Sequence, residues 1–158
     1  SERSPVYPLL LALGFVVVAG LHLAAARKEI RLDRTRTEAE QDGFIRVCRV
    51  SEVREGRGKV VLARSQRIAL FRHQGRIVAT SNVCRHQGGP IGEGRIVDGC
   101  ITCPWHGWTY LPENGCSPPP FQEQLETYDT RVVGDHVWLK AEANPLGSQC
   151  AGSLVDIP

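Results

Sequence analysis

Two short cysteine–histidine motifs carry the residues of this sequence best suited to inorganic chemistry. Cys84-Arg-His86 and Cys103-Pro-Trp-His106 are separated by 16 residues. Thiolate sulfur is a soft ligand for iron or zinc, and imidazole suits both metals. Gly88 and Gly107 follow the two histidines; they favour tight turns and keep bulk away from the site. The motifs therefore predict one inorganic site, which the spacing leaves open to iron or to a structural zinc ion.

The ligand order, completed by Gly107-Trp108, resembles the Rieske iron–sulfur family over about 100 of the 158 residues, from 43 to 140. The resemblance implies a 2Fe–2S cluster, with the two motif cysteines on one iron and the two motif histidines on the other. It also implies that His86 and His106 lie at the surface, where a redox partner docks. A zinc finger would need helices that this region does not predict.

Several positions depart from the Rieske proteins of cytochrome bc-type complexes. Those proteins carry a disulfide-bonded pair of cysteines where this chain has Gly89 and Trp105. They also place a serine where Trp108 stands, and loss of that donor to a bridging sulfide disfavours the reduced state. Tyr110 matches a family tyrosine whose hydroxyl reaches a ligand sulfur. We expect a potential in the lower half of the range of roughly −150 to +300 mV, and resemblance to the ferredoxin and ring-hydroxylating oxygenase branch.

A proline-rich segment follows the second motif. Rieske proteins often pack such a segment over the cluster, so the resemblance implies that Pro119, within the run 117–121, shields the site from water. The alternative is an ordinary turn. Arg85, between two predicted ligands, either supplies positive charge for docking or is solvated.

Four further cysteines have no role that the sequence assigns. Cys100 lies three residues before Cys103, but its β context favours a buried strand thiol over a redox pair. Cys48, Cys116 and Cys150 are expected to remain thiols in a reducing cytoplasm.

The elements around the motifs are predicted to be short strands. Two β-rich runs joined through Gly75 predict one hairpin, and two more joined through Gly134 predict a second. The fold class is therefore all-β: a Rieske-type antiparallel sandwich with a small cluster-binding subdomain. The predicted strands are 44–48, 59–62, 67–72, 76–80, 125–133 and 135–139, and residues 141–158 are expected to form an irregular tail.

The N-terminal part of the chain is predicted to be one transmembrane helix, assigned to residues 1–26. From Val6 to Ala26 there are 21 consecutive residues without a formal charge. As a helix this run measures ~31 Å, close to the thickness of a bilayer core. The alternative is a secretory signal peptide, because 24–26 resemble a cleavage site. Residues 27–42 predict a charged helical linker, either a solvated stalk or a docking surface.

Charge predicts the orientation and narrows the partners. Five cationic residues follow the span and one precedes it, which places the 43–140 domain in the cytoplasm, with the periplasm as the alternative. The chain has 19 Lys and Arg against 17 Asp and Glu. No nucleic-acid partner is expected, because that would need a basic face. The cationic residues that follow the span are Arg27, Lys28, Arg31, Arg34 and Arg36.

These features together predict a membrane-anchored electron-transfer subunit of a larger respiratory or photosynthetic complex. Its partners would be the lipid bilayer, other membrane subunits contacting the 6–26 helix, and a redox protein near the two histidines. One alternative is a tethered Rieske ferredoxin that delivers electrons to an oxygenase. A second is a mainly structural or assembly subunit. The chain is not expected to be catalytic alone, since no mononuclear iron triad and no flavin or nicotinamide motif is found.

Overall fold

A computed structural model describes residues 6–34, 40–150 and 152–155. The chain divides into two compact units, one from Ser1 to Thr37 and one from Glu38 to Pro158. The first unit is described by a helix and the second by strands and two short 3₁₀ turns, Val50–Glu52 and Ile91–Glu93.

The first unit contains helix α1, Val6–Arg34. Within it, Tyr7–Ala25 is apolar enough and long enough to cross a membrane, with a mean hydropathy of 2.2 and side chains exposed all round. The helix continues past residue 26 without a break, so the predicted span and the start of the charged linker are one element. The predicted linker does not stay helical to residue 42, because Glu40–Gln41 form a strand; residues 35–39 lie outside the described residues.

The second unit is built on a curled antiparallel sheet of eight strands. The strands are β1 (Glu40–Gln41), β2 (Phe44–Arg49), β3 (Gly58–Ala63), β4 (Gln66–His73), β5 (Arg76–Ser81), β9 (Thr127–Val133), β10 (His136–Ala143) and β11 (Ser153–Leu154). Seven of them follow the order β1-β2-β10-β9-β5-β4-β3, and β11 pairs with the remaining part of the β5 edge. Contacts between β2 and β3 curl the sheet upon itself.

A second, three-stranded sheet has the order β6-β7-β8 and carries one of the two motifs. Its strands are β6 (Arg95–Val97), β7 (Cys100–Thr102) and β8 (Thr109–Tyr110). Thr102 and Thr109 pair directly across β7 and β8, so the 103–108 segment is the loop of a hairpin. The 84–89 segment follows β5, the strand that ends at Ser81.

Strand β4 separates two hydrophobic cores, because it is buried on both faces. Ile68 and Leu70 belong to a core inside the curled sheet, with residues of β2, β5 and β10. Phe71, on the opposite face, belongs to a core shared with Ile101 of β7. A strand buried on both faces reads as a continuous apolar run, which explains the Ile-Ala-Leu-Phe sequence of β4. The second core also contains Cys84, Cys103 and Tyr110, and so supports both motifs.

The C-terminal segment is more ordered than the irregular tail expected for residues 141–158. Strand β10 continues to Ala143, and Ser153 pairs with Ile77 of β5. The Ser153 backbone N–H donates to Thr130 Oγ1 at 3.1 Å, and the Ser153 hydroxyl donates to the Thr130 carbonyl at 2.7 Å. A two-residue pairing has too little periodicity to be read from sequence.

Candidate metal centre

The two motif loops share one backbone frame. In each, the cysteine carbonyl accepts a hydrogen bond from the glycine four residues later: Gly88 to Cys84 at 2.8 Å, and Gly107 to Cys103 at 3.1 Å. In each, the cysteine N–H donates to the carbonyl five residues later, at 2.9 and 2.8 Å. Both glycines have positive φ, +76° and +70°, a conformation that side chains disfavour.

The four predicted ligands lie in two adjacent pairs. Cys84 and Cys103 are buried in the second core, 3% and 2% exposed. Burial, together with a hydrogen bond to Cys84, raises the pKa of Cys103 above its ordinary value. The rings of His86 and His106 are edge to face, with centroids 5.2 Å apart. His86 is half-buried and His106 is exposed, so the histidine pair runs outward to solvent.

Tyr110 joins the two loops beneath the cysteines. Its hydroxyl oxygen lies 3.3 Å from Cys84 Sγ and accepts a hydrogen bond from the Arg85 N–H at 3.0 Å. Because the Tyr110 oxygen acts as the acceptor in this bond, its O–H group remains available to donate to the sulfur. Tyr110 is fully buried, and desolvation raises its pKa far above the ordinary value. The hydroxyl is therefore protonated and placed to donate to the Cys84 sulfur, which is the contact that the family resemblance implied.

Trp108 packs flat on His86. The two rings are stacked at 4.4 Å with planes only 5° apart. The indole N–H donates to Ser117 Oγ at 3.1 Å, and Ser117 is buried. The indole N–H is thus engaged by Ser117 and does not replace the serine donor of the bc-type proteins.

Gly89 and Trp105 still face each other across the two loops. A Cβ placed on Gly89 would lie 3.2 Å from the Trp105 ring and 2.8 Å from Cys103 Sγ. The indole therefore packs against the Gly89 backbone, at the contact where the bc-type proteins have a disulfide. Trp105 is 59% exposed, so its packing role is confined to this edge.

The proline-rich segment reaches the site through Phe121. Its ring contacts Trp108 at a centroid distance of 4.5 Å, although it is itself 50% exposed. Pro119, which the sequence placed over the site, is exposed, and its peptide bond to Pro120 is cis. Direct shielding of the site by Pro119 stays a prediction.

The donor set of two thiols and two imidazoles fits a binuclear iron–sulfur centre. Among residues 6–34, 40–150 and 152–155, no group of three or more His, Cys, Asp and Glu side chains is arranged to hold one metal ion. Among the described residues, His86 Nδ1 is buried and has no hydrogen-bond partner. An unpartnered imidazole nitrogen beside a pair of buried thiols fits a metal centre held by two cysteines and two histidines.

Residues 43–129 match a known protein family. The family model described as "Rieske [2Fe-2S] domain" matches residues 43–129. The chain belongs to this Rieske family. The family binds a 2Fe–2S cluster, so the cofactor and the mostly β, antiparallel fold predicted from the sequence are confirmed. The zinc interpretation is thereby discarded.

The similar proteins include both stand-alone ferredoxins and longer chains. The Rieske chain is 30% identical to the ferredoxin component of the alkene monooxygenase system of Xanthobacter autotrophicus, covering 68% of this chain and 90% of that protein. It is 30% identical to cholesterol 7-desaturase nvd 1 of Ciona intestinalis, covering 55% of this chain but only 19% of that protein. The solved structure of Sphingomonas yanoikuyae B1 ferredoxin matches with a TM-score of 0.56 at 24% identity, covering 61% of this chain and 97% of that one.

Two contacts of the Rieske site were not predicted from the sequence. Arg85, half-exposed, forms an ion pair with Glu126 at 2.9 Å, which fastens the first loop to the chain just before β9. Asn82 Oδ1 accepts a hydrogen bond from the Gly92 N–H at 2.7 Å. The acid in the first pair lies 41 residues away along the chain, so no local pattern marks it. Cys100 lies in β7 as expected but is half-buried and not fully buried as predicted; its partial burial raises its pKa.

Proposed function

We propose that this chain is a membrane-tethered Rieske ferredoxin that delivers single electrons to an oxygenase. Its similar proteins include ferredoxins, among them the ferredoxin component of an alkene monooxygenase system. The match over 90% of a ferredoxin component favours this reading over a fixed subunit of a respiratory or photosynthetic complex. The comparisons therefore favour the tethered ferredoxin, the alternative in the sequence analysis, over the complex subunit that was the main prediction.

The proposed ligands are the four motif residues. Cys84 and Cys103 would hold one iron, and His86 and His106 the other. When bound, the cluster accepts and releases one electron at a time. Cluster binding would deprotonate both buried thiols, so loading should release protons to solvent. The Tyr110 hydroxyl stabilises the resulting charge on Cys84 by donating to its sulfur.

The observation that carries the electron-exit role is the exposure of His106 beside the half-buried His86. The cysteines are enclosed by the second core, whereas the histidine rings reach the surface. A partner that docks against His106 would come close to the cluster without displacing protein. The exposed rings of Trp105 and Phe121 border the same end of the molecule.

The membrane tether is supported by helix α1. Its apolar stretch from Tyr7 to Ala25 is long enough to cross a bilayer. The cationic residues within 27–34 follow this stretch and favour a cytoplasmic cluster domain. Extraction of membranes with alkaline carbonate tests the tether, since a peripheral protein would be released. An impermeant thiol reagent, applied to sealed vesicles of known orientation, tests which side the domain faces.

The first experiment on function is a redox titration of the full chain in mild detergent, followed by electron paramagnetic resonance. We expect a Rieske-type signal with a midpoint in the lower half of the family range.

Purification in the same detergent distinguishes a tethered ferredoxin from a subunit of a larger membrane complex. A ferredoxin leaves the column without stoichiometric membrane subunits, whereas stable copurification of such subunits would overturn the ferredoxin proposal.

A further inference from the structure

Ser117 is buried and lies outside both motif loops, yet Trp108 links it to His86. Its hydroxyl oxygen accepts the Trp108 indole N–H at 3.1 Å. The same indole is stacked on the His86 ring, nearly coplanar with it. We propose that Ser117 is a positioning residue that fixes His86, through Trp108, in the orientation the cluster requires. This inference rests on the proposed ligand set.

The hydrogen bond selects one orientation of the indole. An indole has a single N–H donor, and a buried donor without a partner is costly. Ser117 itself is held independently of its side chain, since its backbone N–H donates to the Glu123 carbonyl at 2.8 Å. The acceptor therefore stays in place, and Trp108 is fixed at the nitrogen edge while Phe121 contacts its ring.

The stacked indole restricts both the motion of His86 and the access of water to it. The His86 ring also contacts the His106 ring, but His106 is exposed and restricts the motion of His86 less than Trp108 does. Release of Trp108 would let the His86 ring turn and let water approach that side. The reduced centre carries one more negative charge than the oxidised one, and water stabilises the more charged form. Loss of the Ser117 hydroxyl should therefore raise the potential and broaden the spectrum.

Full-chain Ser117→Ala tests the inference by redox titration with electron paramagnetic resonance. At the wild-type midpoint, we expect the ratio of reduced to oxidised protein to rise about threefold, where a tenfold change corresponds to 59 mV. The resonance lines should broaden. Ser117→Thr keeps a hydroxyl and should restore the wild-type values. Ser148→Ala, which removes a hydroxyl bonded to the Pro145 carbonyl in the C-terminal segment, is the matched control and should change neither.

A double-mutant cycle identifies the route. Trp108→Phe keeps an aromatic ring but has no N–H, so Ser117→Ala should add no further shift in that background. An equal shift in both backgrounds, or an unchanged midpoint and line width in Ser117→Ala alone, would overturn the inference. If Ser117→Ala does not hold a cluster, Trp108→Phe carries the test, since it must then shift the midpoint upward while Ser117→Thr does not. Absence of a Rieske signal in the wild-type chain would refute the proposed ligand set instead.

Discussion

The two motif loops have the same backbone frame but hold their histidines in different surroundings. The first loop is fastened to the large sheet: Arg85 pairs with Glu126, and the half-buried His86 is stacked under Trp108. The second is a hairpin loop of the small sheet whose His106 and Trp105 are exposed. Identical hydrogen-bonding frames therefore do not impose identical roles. The difference suggests that one loop fixes the geometry of the centre and the other presents it to a partner.

The comparison depends first on both cysteines being ligands. Cys103→Ser should abolish the Rieske signal and the bound iron, because a hydroxyl is a poor substitute for thiolate toward iron. Cys100→Ser, three residues earlier in β7, is the matched control and should retain full iron and an unchanged spectrum. Iron analysis and electron paramagnetic resonance of both variants measure this. Retention of the cluster by Cys103→Ser would refute the proposed ligand set.

We expect an alanine substitution at Gly89 to disrupt the packing of the two motif loops more than one at Gly88. A Cβ on Gly89 would meet Cys103 Sγ at 2.8 Å and the Trp105 ring at 3.2 Å, so Gly89→Ala should force the loops apart. Such overpacking costs about 1–3 kcal/mol and should speed the loss of the cluster on dilution into a chelator. Gly88→Ala meets no atom within 4 Å and should cost only ~1 kcal/mol, for its positive φ.

Gly107→Ala tests whether the two motif loops, which share one backbone hydrogen-bonding pattern, respond equally to the same substitution. Its φ of +70° and open surroundings match those of Gly88, so the two alanine variants should lose equal stability within about 0.5 kcal/mol. Denaturant titration gives both free energies of unfolding. If Gly88→Ala released the cluster as fast as Gly89→Ala, close packing against Cys103 would not explain the Gly89 effect.

Tyr110 sharpens the comparison because it lies in β8, next to the second loop, while its hydroxyl hydrogen-bonds to the first loop. Tyr110→Phe removes the donor to Cys84 Sγ, and the reduced state loses more from this than the oxidised state does. We expect the midpoint to fall by ~40 mV, equivalent to about 1 kcal/mol for one electron. Tyr128→Phe removes another buried tyrosine hydroxyl, which lies near Arg85 and Glu126 but belongs to the core inside the curled sheet, and should leave the midpoint unchanged. A midpoint that rises in Tyr110→Phe would contradict this account.

The sequence predicted the parts of this protein that local patterns encode. The family resemblance carried by the cysteine and histidine motifs predicted the cofactor, and β-rich runs joined through Gly75 and Gly134 predicted two hairpins that form. The contacts that distinguish the two loops join distant residues. Glu126 lies 41 residues from Arg85, and the serine hydroxyl that accepts from Trp108 lies beyond the motif. Such partners depend on how the two sheets pack, which a single amino-acid sequence does not reveal.

The predicted linker is a second case in which distant contacts, and not the local sequence, decide the structure. Residues 27–42 have the composition of a solvated helix, yet Glu40–Gln41 pair with β2. Glu40 also forms an ion pair with Arg64 in the β3–β4 turn, and Arg131 Nη2 donates to the Gln41 carbonyl at 2.9 Å. Tertiary contacts override helix propensity there, because propensity is worth only tenths of a kcal/mol per residue.

The smallest expected effect concerns the fastening of the first loop. Arg85 and Glu126 are 45% and 38% exposed at their side chains, so solvent screens the pair and it should contribute about 0.2–1 kcal/mol to stability. Arg85→Gln should lower the free energy of unfolding by that amount, and Arg85→Gln combined with Glu126→Gln should cost less than the sum of the two single changes. Denaturant titration at low and at high salt measures the coupling, which should shrink as salt is added. A coupling of zero at low salt would mean that the first loop owes its rigidity to Tyr110 and Trp108 alone.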